Sequence, residues 1–364
     1  MAAYLVTFLL FILYLIVIPI GISPFETPKV VLTEIAIVVL LFIKITRFKK
    51  IDFRHLISPQ IIFISILLLL SLDTAVLFKP ADAFFGNIFR LQGQFLFYHL
   101  LLFSILSKDI RIDKIPQFIY YLSFICLVLG TIILGVNENN RAFATLGEPN
   151  SLSATALFIF PFIFFPSKKL PRTFFLIATF AIILLAGSRA GLIGFLIQLI
   201  FIALASKMKS GRLSKAVIVS AILICISLVL PFIENVGWFE NRSEIWTTSF
   251  KAGLTSPLIG HGFGNIQSII HQTAIDLNNN VRFQIVDSSH NFLLDFWIQG
   301  GLVGVVSILI LIILSFHGLI KRKKVLELTA FLGIISAMFF NPVSVVILIA
   351  FWWLIGQGFA HSST

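Results

Sequence analysis

Runs of about 20 apolar residues recur along this chain from one end to the other, each long enough to cross a bilayer as a helix. No other feature restricts the fold as severely. In lipid every backbone N–H and C=O must be satisfied within the protein, so the choice lies between helices and a closed barrel. The Leu-, Ile- and Phe-rich runs lack the strict alternation of barrel strands, which leaves helices. With 58% hydrophobic and 12% charged residues among 364, there is too little polar surface to cover a soluble globule. The chain reads as an all-α integral membrane protein.

Windows of about 19 residues place spans near 4–22, 29–46, 60–78, 91–107, 115–135, 150–166, 171–187, 190–206, 214–233, 291–316, 325–341 and 343–360. That gives twelve transmembrane helices and one long outer loop, about 234–289. With no internal repeat, residues 1–364 read as a single polytopic membrane domain. The first run lacks a basic leader and a small-residue cleavage site, so it is expected to stay as a span. Cys126 and Cys225 both fall inside apolar runs and carry no disulfide or metal-ligand pattern.

Positive charge sets the orientation. One set of alternate loops holds 19 of the 27 basic residues, which puts those loops and both termini in the cytoplasm. The net charge of +11 is then mostly a topology signal and requires no nucleic acid. The basic residues on the other side are more informative, because the insertion rule does not account for them. Arg90 stands in R-L-Q-G-Q, Arg141 in R-A-F-A-T-L-G-E-P-N, Arg189 in G-S-R-A-G, and Arg242 opens R-S-E-I-W; Arg282 lies further along the loop. Snorkelling to headgroups suffices for Arg282 and Lys251. For the other four, each at a span terminus or flanking turn, a shared anionic ligand is the better reading, since guanidinium forks match phosphate oxygens. A cluster of this kind beside an apolar bundle suits a lipid diphosphate.

The outer loop itself divides into readable parts. Ile245, Trp246, Phe250 and Leu254 have helical spacing and predict an interfacial amphipathic helix over 242–254. A Gly-rich turn, S-P-L-I-G-H-G-F-G-N, precedes a second helix expected over about 266–277. The loop re-enters the membrane through Asp287 and Ser288 to His290 and Asn291. His290 therefore sits at the mouth of a span, where a proton acceptor could meet both a lipid-borne and a water-borne reactant. Gly300, Gly301 and Gly304 below it would let another helix pack closely. Asn150 and Asn291 read as caps or orienting groups. Carboxylates at Glu148, Glu240, Glu244, Asp276 and Asp287 could act as a base or hold a divalent metal, but the outer loops contain no Asp-x-Asp pair. Charges inside the spans are few, Glu34 and Asp295 among them, whereas an ion-coupled carrier would need more at mid-membrane depth.

Taken in order, R-L-Q-G-Q, R-A-F-A-T-L-G-E-P-N, G-S-R-A-G, R-S-E-I-W with P-L-I-G-H-G-F-G, and H-N-F-L-L-D-F-W-I-Q-G-G-L-V-G resemble the O-antigen ligase and O-antigen polymerase superfamily of bacterial membrane glycosyltransferases, and the related O-linked protein oligosaccharyltransferases. The resemblance covers about 90–304. It implies a GT-C-like fold and transfer of a glycan from an undecaprenyl-diphosphate carrier at the outer face of the inner membrane, without a metal or other cofactor. It further implies His290 as the residue that activates the acceptor hydroxyl, Arg189 and Arg242 as holders of the diphosphate, and Arg90 and Arg141 as further arginines of the pocket. Ligase, polymerase and protein glycosylation differ in the acceptor, whether lipid A-core, glycan or protein, and no acceptor signature stands out. The rival from another class is a flippase of lipid-linked glycans.

Overall fold

The computed structural model describes residues 1–19, 23–46, 58–77, 80–113, 115–137, 140–166, 172–205, 242–278 and 286–360. These form helices α1 (Ala2–Phe11), α2 (Thr27–Ile45), α3 (Pro59–Leu77), α4 (Pro80–Phe85), α5 (Gln94–Ser107), α6 (Phe118–Ile133), α7 (Pro149–Phe164), α8 (Arg172–Leu185), α9 (Arg189–Ala205), α10 (Arg242–Leu254), α11 (Ile266–Asp276), α12 (Phe292–Lys321), α13 (Val325–Met338) and α14 (Val345–Gly358). Among the described residues the only extended pairing is an isolated bridge between Val136 and Ala142. The all-helical expectation holds for them. The span expected over 214–233 and Arg282 lie outside the described residues.

Helix α12 is long and apolar enough to cross a membrane by itself, and most of the other apolar helices run 10–17 residues. The first differs most from its expected bounds. A helix near 4–22 is replaced by α1, a 3-10 turn at Leu13–Leu15 and an extended Ile16. The cause is local: β-branched Ile16, Val17 and Ile18 run into Pro19, and the residue before a proline disfavours the α region. The chain then turns back, with the Ile18 N–H donated to the Pro24 carbonyl.

Helices α7 and α14 form the axis of the bundle. All of α14 except Leu348 is buried, as is all of α7 except Asn150. Gln198 of α9 donates from Nε2 to the carbonyls of Leu157 at 2.8 Å and Thr329 at 2.9 Å, tying α7, α9 and α13 together through backbone groups. Large apolar side chains such as Phe42, Leu69, Ile132, Ile133, Leu204 and Ile313 face outward from the bundle. A belt of this kind is unfavourable in water and favourable against acyl chains.

Helix α12 is broken. Gly301 has φ 57° and ψ −156°, outside any helical region. The glycine pair thus opens the helix to a loop, where the sequence reading expects a packed neighbouring helix. The segment 257–262 fills the gap: the His261 and Gly262 N–H groups donate to the carbonyls of Ile298 and Gln299, and the Leu302 and Val303 N–H groups donate to those of Pro257 and Leu258. These four backbone groups beside the break are thereby satisfied, as a low-dielectric setting demands. A Cβ at Gly301 would stand 2.5 Å from the Leu258 carbonyl carbon, so only glycine fits.

Candidate functional site

His290 is held at the entrance to α12 by a chain of short-range hydrogen bonds. Asn291 caps the helix, its Oδ1 accepting the N–H groups of Leu293 at 3.0 Å and Leu294 at 3.3 Å. Asp295, one turn along, reaches back to accept the Ser289 N–H at 2.8 Å. The Ser288 hydroxyl accepts the His290 N–H at 3.1 Å. Between these clamps His290 adopts φ 56°, a left-handed conformation uncommon outside glycine. A strained backbone held from both sides is a frequent mark of functional positions. The imidazole is half-buried.

Arg90 projects from a loop that closes on itself. Gly86 and Gly93 bring their backbones together so closely that a Cβ at either would overlap the other strand of the loop. Asn87 Oδ1 accepts the N–H groups of Phe89 and Arg90 at 3.1 and 2.8 Å, fixing the turn. The Arg90 Nε–H is donated to Asp287. Burial works against the guanidinium charge, but the facing Asp287, with Glu148 and Glu26 adding to it, outweighs that effect and holds its pKa above the ordinary value. An external anion at Arg90 would compete with these carboxylates.

The other arginines gather elsewhere. Arg141 donates from Nε to the Ala186 carbonyl at 2.8 Å and from Nη2 to Asn150 Oδ1 at 2.9 Å. Asn150 lies in the first turn of α7, behind the N-cap Glu148, and so orients Arg141 while Glu148 takes the cap position. Gly187, at φ 56°, brings the backbone so near that a Cβ there would lie 3.1 Å from Arg141 Nε. Two residues on, Arg189 begins α9, whose first turn is held by Ser188 Oγ accepting the Gly191 N–H at 3.2 Å. Arg141, Asn150 and Arg189 therefore share one corner, formed by the α8–α9 turn and the start of α7. Arg242 begins α10.

What joins these parts is the turn between α13 and α14. Gln92, beside Arg90, donates from Nε2 to the Val343 carbonyl at 2.7 Å. Asn150 lines a small recess with Asn341, Met338 and Val343. Trp246, one turn into α10, has its ring 6.4 Å from that of Phe340. Phe292, at the start of α12, lies edge-on to Phe339 at 5.3 Å. Glu26 accepts the Val345 N–H at the N-terminus of α14. Burial raises the Glu26 pKa, although Lys29, the Val345 N–H and Arg90 all favour its charged form; Glu148 reinforces the rise. The elements that carry Arg90, Asn150, Arg242 and His290 thus all touch residues 338–345.

A cavity of about 490 Å³ opens beside this turn, bounded by the Arg90 loop, α11 and the first turns of α12. Its lining combines polar and charged groups, Asn87, Arg90, Asn265, His271, Asp287 and Ser288, with aromatic rings, Phe97, Phe263, Phe296, Phe351 and Trp352. Ser288 and Phe292, two residues either side of His290, both line it. Asn265, His271 and Glu26 play no part in the sequence reading, since each belongs to the site through contacts made far along the chain.

On α10 the packing differs from a simple apolar stripe. Thr248, Ser249, Ala252 and Gly253 are buried, while Phe250 and Leu254 are exposed. Small polar residues let α10 approach α12 closely, and Trp297 packs against Gly253 while donating from Nε1 to the Phe250 carbonyl at 3.0 Å.

Residues 174–309 match the family model described as O-antigen ligase. The matched region runs from α8 into α12 and includes Arg189, Arg242 and His290, while Arg90 and Arg141 precede it. The chain is also 24% identical over 318 residues to a protein from Acinetobacter baylyi described as a ComP-specific O-oligosaccharyltransferase, a match covering 76% of this chain and 56% of that protein. The chain thus spans about half the length of the curated relative it matches. Motif order, a helical bundle with an outward apolar belt and the matched region agree: residues 174–309 are similar to the O-antigen ligase family.

Proposed function

We propose that this protein transfers a glycan from an undecaprenyl-diphosphate carrier to an acceptor hydroxyl at the outer face of the bacterial inner membrane. The observation that carries the reading is convergence: elements bearing Arg90, Asn150, Arg242 and His290 meet at one turn, beside a cavity lined by both polar and aromatic side chains. In this reading about twelve helices cross the membrane, both termini are cytoplasmic, and α10 and α11 belong to one outer loop of a single membrane domain.

The chemistry is an inverting displacement. The acceptor oxygen forms a bond to the anomeric carbon as the bond from that carbon to the diphosphate oxygen breaks, and the polyprenyl diphosphate leaves with the electron pair. His290, as its neutral imidazole, takes the acceptor proton and later passes it to water. Arg189, Arg242 and Arg141 stabilise the departing diphosphate, an effect that strengthens in a partly desolvated site. Asn150 steadies Arg141, and Asn291 fixes the turn that presents His290.

A lipid A-core acceptor is the ligase-like reading. A protein acceptor is the second, favoured by the similarity to an O-oligosaccharyltransferase; a growing glycan, as in a polymerase, is the third. Purified protein incubated with an undecaprenyl-diphosphate glycan and each acceptor should yield a glycosidic product with one of them. Translocation of the donor without a new glycosidic bond would instead identify a flippase.

A further inference from the structure

We propose that the cavity beside Asp287 is a subsite for one neutral sugar residue, separate from the groups that hold the diphosphate; the proposal rests on the glycan-transfer reading above and names what this part of the site takes.

The charges in the lining exclude an anion. Among the described lining residues Arg90 is the sole Lys or Arg, and its Nε–H is already donated to Asp287, while Asp295 adds a second carboxylate. A diphosphate placed there would meet more negative than positive charge. The other polar groups in the lining are neutral amides and hydroxyls with one imidazole, among them Asn87, Asn265, Gln267, Ser268, Ser288 and His271. Such groups supply both donors and acceptors, which is what a ring of sugar hydroxyls requires.

One of them is waiting for a partner. Asn265 is 5% exposed, and its Nδ2 has no hydrogen-bond partner among the described residues. Its backbone is fixed at the N-cap of α11, where its carbonyl accepts the Ile269 N–H and the Ser268 hydroxyl. A buried amide N–H left without an acceptor is costly, so a hydroxyl-bearing ligand would be favoured there. A polyprenyl tail would leave it unpaired and make no use of the polar lining groups.

The aromatic part of the lining suits the other character of a sugar, its apolar ring face. Phe97 and Phe263 stack at 4.2 Å with planes 12° apart, and Trp352 meets Phe97 edge-on at 5.9 Å. The volume of about 490 Å³ falls within the usual range for small-molecule sites, about 300–1,000 Å³.

The test is saturation-transfer NMR on the full-length protein in nanodiscs. The probes are glucose, galactose, mannose, N-acetylglucosamine and N-acetylgalactosamine at millimolar concentration, with and without inorganic pyrophosphate. At least one sugar should bind, unaffected by pyrophosphate, and bind roughly 3- to 10-fold more weakly in Asn265→Ala and His271→Ala, as the loss of one hydrogen bond implies. His271 is half-exposed on α11, so its variant keeps the test open if Asn265→Ala fails to fold. No binding by any of the sugars, displacement by pyrophosphate, or unchanged affinity in a folded variant would overturn the proposal. Sugar binding that persists in a protein unable to form a glycosidic bond would count against the transfer reading alone.

Discussion

Arg90 and Asp287 are 197 residues apart in sequence and are joined by a charged hydrogen bond, with about 20% of each side chain exposed. The bond fastens the loop before α5 to the segment that delivers His290. Removing one partner leaves a partly buried charge uncompensated, at about 1–3 kcal/mol for a site between the surface and the deep interior. Arg90→Ala should therefore lower the thermal midpoint of the purified protein, and Arg90→Ala with Asp287→Ala should cost less than the two single changes added together. Strict additivity in the double-mutant cycle would mean the pair is not coupled.

The broken helix gives a sharper contrast between two glycines three residues apart. At Gly301 the backbone is one that other residues rarely adopt, costing about 1–3 kcal/mol, and a Cβ would overlap the Leu258 carbonyl. At Gly304 the nearest atoms to an added Cβ are the Phe296 carbonyl oxygen at 3.4 Å and a Leu70 methyl at 3.8 Å. Gly301→Ala should sharply reduce the yield of folded protein. Gly304→Ala should be neutral, or stabilising by up to about 1 kcal/mol. Similar yields for the two would show that the break at Gly301 is not required.

Glu26 sets a pH dependence of stability. Its pKa is higher in the folded protein than in the unfolded chain, so the folded state holds the proton more tightly. That contribution is fully present below the ordinary carboxylate value, about 4.3, and is lost as pH rises through the raised value. Glu26→Gln keeps an oxygen for the Val345 N–H and cannot ionise. It should flatten the fall in thermal midpoint above the ordinary carboxylate range; a profile identical to that of the unaltered protein would contradict the assignment.

Arg141 should resist replacement even by lysine. Its guanidinium donates from two separate nitrogens, Nε to the Ala186 carbonyl and Nη2 to Asn150 Oδ1, and an ammonium cannot span both. Arg141→Lys should weaken binding of undecaprenyl diphosphate about as much as Arg141→Ala does, measured with the protein in nanodiscs. Full affinity in the lysine variant would show that charge alone suffices.

Local pattern made most of the helices legible, along with the Asn291 cap and the two helices expected near 242–254 and 266–277, because hydropathy and capping are properties of neighbouring residues. The bonds that assemble the site are not of that kind. Gly300 and Gly301 look like a surface for close packing, yet what enters is a loop some forty residues upstream whose N–H groups replace helical ones. Nothing near Arg90 indicates that its partner is Asp287, and nothing in N-P-V at 341–343 marks that turn as the meeting point of four elements. Asn265 reads as one residue of a glycine-rich turn; its unpaired amide appears only once α11, the Arg90 loop and α12 close around it.

The central claim is that His290 takes the proton from the acceptor hydroxyl. The most direct measurement is glycan transfer from an undecaprenyl-diphosphate donor by purified His290→Ala, with donor binding and thermal midpoint recorded on the same preparation. The account predicts loss of transfer by at least about 100-fold, the lower end of what a positioned general base contributes, with donor binding and folding retained. A folded His290→Ala protein that transfers glycan at the unaltered rate would contradict it.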